Sequence, residues 1–279
     1  MSQDGMLISI GKINEFLFDQ YFCVPPYNSI NGQWVSECFN KINDNKIDQL
    51  KFHVTKEVVL PWRRAYQTTY FYSELAPFKE LIKIIDSATL AYYDDNWLCS
   101  YITLTPVIEA VIDRWGKLDI DNYDDSSPLA QKAEALLKLA KSKLNSNMYW
   151  HQYLLIQHKY LDHILKNIFF KNGTKYKKQH DDGFNRNVIS HLLEVPDIFT
   201  NNIHTLRLFL LLDILAALYS ATHPDDCKGI SPVRDATHKQ DLMNTYFNIF
   251  NSSCTRSIIQ GNYSITLQKR IYDIYGVGL

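Results

Sequence analysis

The most apolar stretch of the chain runs from Leu206 to Ala221, and its only charged residues are Arg207 and Asp213. It is shorter than the roughly 20 residues that a helix needs to cross a bilayer, so it predicts a helix that is buried inside the fold. Glycine and proline are scarce, with ten glycines and nine prolines in 279 residues. Because these residues punctuate turns, their scarcity favours long helices over turn-rich β structure. The chain is therefore expected to be all-α.

Apolar residues recur at helical spacing along most of the chain. The spacing predicts helices over residues 6–22, 34–42, 47–60, 61–90, 97–115, 128–140, 148–170, 202–221, 241–249 and 264–275. Residues 47–60 also contain short pairs of β-strand formers, which leave a strand as the alternative there. Pro106 is expected to kink the helix over 97–115, and Gly116 is expected to end it.

Net charge limits how the protein could bind nucleic acid, and the cysteines indicate the cellular compartment. The formal net charge is −1, so the chain has no overall basic field, and any contact with nucleic acid must come from a local patch. The five cysteines are odd in number and far apart, with no Cys-x-x-Cys, which is typical of reduced thiols in a cytoplasmic protein. The N-terminal residues lack a basic segment followed by an apolar run, so we expect neither a secretory signal nor contact with a membrane.

Residues 183–194 carry the most distinctive polar pattern, Gly-Phe-Asn-Arg-Asn-Val-Ile-Ser-His-Leu-Leu-Glu. Asn185 is placed to cap a helix, and Pro196 bars its continuation at the far end. An apolar stripe on this helix is expected to face a core; it consists of Phe184, Val188, Leu192 and Val195. A polar flank at i, i+4 and i+7 carries Asn187, His191 and Glu194.

Arg186 and His191 form an Arg-x4-His pattern that resembles the motif of the HEPN family of helical domains, many of which are metal-independent ribonucleases. Asn187 after the arginine and the leucine-rich helix over 202–221 extend the resemblance. Members of this subtype often carry a small residue after the histidine, whereas this chain has Leu192. The resemblance implies a HEPN-like helical bundle over residues 92–221, preceded by an N-terminal helical extension (1–91) and followed by C-terminal helices (222–279).

Such a pair has the chemistry that RNA cleavage needs. RNA supplies its own nucleophile, the 2′-OH, and an imidazole can remove its proton near neutral pH. A guanidinium can hold two phosphate oxygens and does not lose its proton. The resemblance implies an endoribonuclease with a site shared by a homodimer, in a bacterial toxin or antiviral system with an inhibitory or activating protein partner. The alternative is a non-catalytic helical module that binds RNA or dimerises, with a surface arginine and a structural histidine.

Three polar residues are candidates to support this pair. Asn187 is expected to hold the imidazole or a phosphate oxygen through its amide, or else to cap the helix. Glu194 lies one turn beyond the histidine and either orients it or remains a solvated acid. Glu109 interrupts an otherwise apolar helix face and is expected to pair with Arg186 or Arg207.

Two groups of basic residues are candidates for contacts with RNA. One lies in the loop before the motif, and the other is interleaved with tyrosines; the residues are Lys175, Lys177, Lys178, Arg63 and Arg64. A solvated loop is the alternative for the lysines, and an amphipathic packing helix is the more common outcome for the arginines. No histidine, cysteine or carboxylate spacing fits a metal site, so neither a metal nor another cofactor is expected.

Overall fold

The computed structural model describes residues 2–27, 30–171, 184–190, 202–225 and 236–259. These residues contain helices and no strand, which confirms the all-α prediction. The eleven described α-helices are α1 (Gln3–Phe18), α2 (Gly32–Asn43), α3 (Ile47–Val59), α4 (Pro61–Tyr66), α5 (Ile82–Tyr93), α6 (Trp97–Asp119), α7 (Leu129–Lys143), α8 (Tyr149–Ile164), α9 (Arg186–Ser190), α10 (Ile203–Thr222) and α11 (Ala236–Ile259). Helices α4 and α8 each continue into a π-helical turn, at Gln67–Phe71 and Leu165–Phe169 respectively.

Most helices follow the periodic pattern of the sequence, but the single helix predicted over 61–90 is interrupted, because α4 ends at Tyr66 and α5 begins at Ile82. Residues 47–59 form α3, so the strand alternative is wrong. The α11 helix is longer than its predicted segment, and the predicted helix over 264–275 lies outside the described residues. Asn96 caps the start of α6, because its side chain accepts a hydrogen bond from the backbone N–H of Cys99 at 3.2 Å.

Gly116 does not end α6, which continues to Asp119. The glycine instead allows a close approach, since a Cβ at this position would overlap the ring of Tyr123. That tyrosine returns over the helix and donates a hydrogen bond to Asp113 at 2.9 Å. The prediction was wrong because glycine can mark a tertiary contact inside a helix as well as its end.

Helix α10 forms the centre of the molecule. It packs against α3, α6, α7 and α8, and every residue from His204 to Tyr219 is buried. It is the one helix of the described residues with the length and apolar composition of a membrane span, and 89% of that window is buried inside the fold. A helix that is apolar on every side is stable in water only when neighbours surround it.

A buried ion pair joins α4 to the middle of α10. Arg64 is 1% exposed and Asp213 is fully buried, and their side chains are in direct contact. The other hydrogen bonds to this carboxylate come from Tyr27, Tyr72 and, at 2.9 Å, the amide of Gln67. A buried charge is tolerated when partners satisfy it in this way, which accounts for an aspartate in the most apolar helix of the chain.

The core runs without interruption through the three predicted segments. Its members include Ile10 and Val54 from the first segment, Leu104 and Leu208 from the second, and Tyr246 from the third. Tyr246 also donates a hydrogen bond to Asp86 at 2.7 Å, which links α11 to α5. The division into a HEPN-like domain and two extensions stays a prediction.

Candidate functional site

The motif segment is anchored by Phe184, which is fully buried at the junction between α8 and α9. Its ring lies 5.7 Å from that of Phe169 and is stacked at 6.0 Å on the imidazole of His204. The guanidinium of Arg207 lies 5.0 Å from the Phe184 ring, in a cation–π arrangement. Val188 is also fully buried, so the predicted apolar stripe does face the core at the two positions that the structure describes.

Asn185 caps α9, as the sequence predicts. Its side-chain oxygen accepts hydrogen bonds from the backbone N–H groups of Asn187 at 2.9 Å and Val188 at 3.2 Å. These are the second and third residues of the helix, the positions that an N-cap side chain satisfies. The amide nitrogen of Asn185 points the other way and donates to the backbone oxygens of Ile168 and Lys171.

The guanidinium of Arg186 is held between two helices. Its Nε donates to one carboxylate oxygen of Glu109 on α6, and its Nη2 lies 3.4 Å from the other. The Arg186 side chain is 33% exposed and that of Glu109 is 21% exposed. The predicted pairing of Glu109 with Arg186 or Arg207 is therefore confirmed, and Arg186 is the partner.

Asn187 contacts the arginine beside it. Its side-chain oxygen accepts a hydrogen bond from Nη1 of Arg186 at 3.0 Å, and its amide nitrogen donates to the backbone oxygen of Lys171 at 3.0 Å. Because Asn185 provides the cap, Asn187 is available to hold Nη1 of the guanidinium, while Glu109 holds Nε and Nη2. In the described structure it thus acts on Arg186, while the role in holding an imidazole or a phosphate stays a prediction.

Several predicted site residues lie outside the described residues. They are His191, Glu194, Lys175, Lys177 and Lys178. The catalytic role of His191, the support of its imidazole by Glu194 and the contact of the three lysines with RNA stay predictions.

Arg63 and Arg64 do not form an RNA-binding surface. Arg64 is buried against Asp213, and Arg63 is 6% exposed, with its guanidinium 4.0 Å from the ring centre of Tyr27 and 4.3 Å from that of Trp62. Burial lowers the pKa of Arg63, although nearby acidic groups oppose the effect. The alternating basic and aromatic residues of this segment belong to a packing helix, and the assignment to RNA contact is corrected accordingly.

Arg207, the alternative partner that the sequence offered for Glu109, instead contacts the segment that follows α1. Its Nε and Nη2 donate to the backbone oxygen of Gln20 at 3.2 and 3.0 Å, and its guanidinium also lies 5.0 Å from the ring centre of Tyr21. It thereby connects the turn after α1 to Phe184, next to Arg186 of the motif. An arginine within an apolar helix is the sequence signal, since a buried cation needs partners from other elements.

Among the described residues, no group of three or more His, Cys, Asp or Glu side chains is placed to hold a metal ion. No protein-family model, curated protein or solved structure matches this chain. The resemblance to the HEPN family therefore stays a prediction from the motif in the sequence.

Proposed function

We propose that this protein is a metal-independent endoribonuclease that cleaves RNA through attack of the 2′-OH on the adjacent phosphate. Arg186 would stabilise the phosphate and His191 would transfer the proton. The observation that carries the proposal is the fixed orientation of the Arg186 guanidinium, which Glu109 and Asn187 hold while a third of the side chain remains exposed. An arginine held in this manner resembles the oriented clamps that enzymes use for developing negative charge.

Within the part of the chain that the structure describes, the hydrogen bonds of the Arg186 guanidinium leave donors for a phosphate. Three of its five N–H groups donate to Glu109 and Asn187. The other two, on Nη1 and Nη2, suit two non-bridging oxygens of one phosphate, because guanidinium and phosphate match in spacing. Glu109 takes the edge formed by Nε and Nη2, so the phosphate would approach the terminal edge of the group.

The proposed reaction balances without a cofactor. His191 takes the proton of the 2′-OH as its oxygen bonds to phosphorus, and Arg186 stabilises the charged phosphorane. The bond to the 5′-oxygen then breaks, and that oxygen leaves with a proton from the partner's His191 in a site shared by a homodimer. The products are a 2′,3′-cyclic phosphate and a 5′-hydroxyl. Cleavage of this kind suits a cytoplasmic toxin or antiviral protein under the control of an inhibitory or activating partner.

The second candidate is a non-catalytic helical module that binds RNA or dimerises. The same ion pair favours it, since Glu109 neutralises Arg186 and an arginine can join two helices for stability alone. The two proposals differ in whether RNA is cut and in whether His191 matters.

Cleavage of total RNA in the presence of EDTA is the decisive test. We expect the purified protein to cut RNA with the chelator present and to leave 2′,3′-cyclic phosphate and 5′-hydroxyl ends. His191→Ala protein purified in parallel controls for contaminating nucleases. A strict need for Mg²⁺ or Mn²⁺, restored on re-addition, would contradict the proposal, and intact RNA would favour the non-catalytic module.

We also expect the protein to be a dimer, because one copy presents one Arg186 and one His191. Ile102 is 45% exposed and lies seven residues before Glu109 on α6, hence on the same helix face. Ile102→Glu should weaken the dimer in light scattering at micromolar concentration, whereas Ile84→Glu on α5, at 43% exposure, should not. A wild-type protein that stays monomeric with and without RNA would contradict the shared site.

A further inference from the structure

The C-terminal end of α8 presents backbone oxygens to the motif. The helix passes into the π-helical turn Leu165–Phe169, and the described chain then continues to Lys171. Carbonyl groups at a helix end have no partner within the helix and need donors from elsewhere. Here the donors are side-chain amides from the next described segment, since Asn185 reaches the oxygens of Ile168 and Lys171, and Asn187 reaches that of Lys171.

Asn185 makes contacts on both sides of its amide group. The nitrogen is bound to the end of α8, and the oxygen is bound to the first backbone N–H groups of α9. The residue is fully buried, so water does not compete for these hydrogen bonds. One side chain therefore joins the end of one helix to the beginning of the next, immediately before Arg186.

Arg186 lies between two asparagines that are tied to the same helix end. Its guanidinium then meets Glu109 from α6, so three helices converge on one side chain. A shift of α9 along α8 would separate the guanidinium from Glu109 or turn its terminal edge away from the phosphate. Catalytic groups tolerate only small errors of this kind, because a displacement of about 1 Å can reduce a rate about 100-fold.

From these contacts we infer that Asn185 is a positioning residue for Arg186: its amide bridge to α8 sets the direction of the guanidinium. The inference rests on the proposed function for its effect on cleavage. Its structural part, that the bridge holds Arg186 against Glu109, is measurable without RNA.

The substitution Asn185→Asp removes the hydrogen bonds of Asn185 to the end of α8 while it can preserve the cap of α9. The aspartate keeps an oxygen that can cap α9, but it loses the amide donors and turns a carboxylate towards two backbone oxygens. Asn31→Asp is the matched control, because Asn31 caps α2 through its oxygen, which accepts from the backbone N–H of Trp34 at 3.0 Å. If Asn185→Asp does not fold, as judged by circular dichroism, Asn185→Ser replaces it, since serine can cap but is too short to bridge.

The first readout is the NMR signal of the Arg186 Nε–H group, assigned by its loss in Arg186→Ala. In the wild type this signal should lie downfield of solvent-exposed arginines, because the group donates to a carboxylate. The Asn185 variant should move it towards the exposed position, and Asn31→Asp should leave it in place. A wild type without a downfield signal, or an Asn185 variant that retains it, would overturn the inference.

The second readout is cleavage of a labelled RNA. We expect the Asn185 variant to lower kcat about 100-fold, with a smaller change in KM, since RNA contacts elsewhere would remain. A double-mutant cycle would compare the RNA affinities of Asn185→Asp, Arg186→Ala and the double variant. In the Arg186→Ala background, Asn185→Asp should cause no further loss of affinity. A wild type that does not cleave RNA would reject the proposed function while the NMR result still decides the inference. A cleaving wild type with an equally active Asn185 variant would reject the inference alone.

Discussion

Replacing Asp213 with asparagine should lower the free energy of unfolding by about 3–5 kcal/mol, the usual cost of removing one partner from a buried ion pair. Arg64 is 1% exposed, so its charge would remain in the core without a counter-charge. Asparagine has nearly the shape of aspartate and keeps one acceptor oxygen. The loss would therefore report the charge and the hydrogen bonds from Tyr27, Gln67 and Tyr72 rather than a cavity.

Urea denaturation followed by circular dichroism would measure this loss. The matched control is Asp44→Asn at the exposed pair with Lys46, which are 2.8 Å apart and 56% and 49% exposed; its effect should stay below about 1 kcal/mol. The double variant Arg64→Met/Asp213→Leu should recover only part of the stability, because it removes both charges from the core but leaves Tyr27, Gln67 and Tyr72 without their acceptor. A single Asp213→Asn variant as stable as the wild type would show that the pair is dispensable for the fold.

The helices were predictable because their signals are local. The start of α6 is encoded by Asn96, whose side chain caps the first turn, and α10 is encoded by an apolar run too rich in leucine to be exposed. Each signal needs only neighbours within a few positions of the chain. Gly116 was not predictable in this way, because its role depends on Tyr123, which folds back over α6. The helical spacing of apolar residues carries no information about such a contact.

Burial was the harder property to predict. Arg63 and Arg64 stand among tyrosines in a pattern that occurs in RNA-binding surfaces and, more commonly, in packing helices. What decides between them is Asp213, which is 149 positions away from Arg64 in the sequence. A one-dimensional pattern shows that a charge needs a partner, but not which element brings that partner.

Within the candidate site, too, local contacts were predictable and contacts between distant elements were not. Glu109 was predictable as a partner of an arginine, because an acid on an apolar helix face requires one. Asn185 was predictable as a cap, because capping acts within one turn. Its bridge to α8 was not, since the acceptors are backbone oxygens of Ile168 and Lys171, and every residue carries such an oxygen.

His191→Ala should abolish RNA cleavage while leaving RNA binding nearly unchanged. The substitution removes the group that transfers the proton and keeps the phosphate clamp on Arg186. Fluorescence anisotropy and cleavage on one labelled RNA would measure both properties in the same sample. A His191→Ala protein that cleaves like the wild type would end the catalytic assignment and favour the non-catalytic module.

Arg186→Ala should abolish cleavage and weaken binding as well, because a charge-assisted contact that strengthens as the phosphorane forms is lost. Arg186→Lys should restore little, since an ammonium group cannot contact Glu109, Asn187 and a phosphate through a planar fork.

Glu109→Gln tests whether the glutamate orients Arg186, because the amide keeps one acceptor for Nε but removes the charge that neutralises the arginine. If Glu109 orients Arg186, this variant should bind RNA at least as tightly as the wild type and cleave it more slowly. Unchanged cleavage in Glu109→Gln together with full activity in Arg186→Lys would mean that a positive charge alone is sufficient at this position.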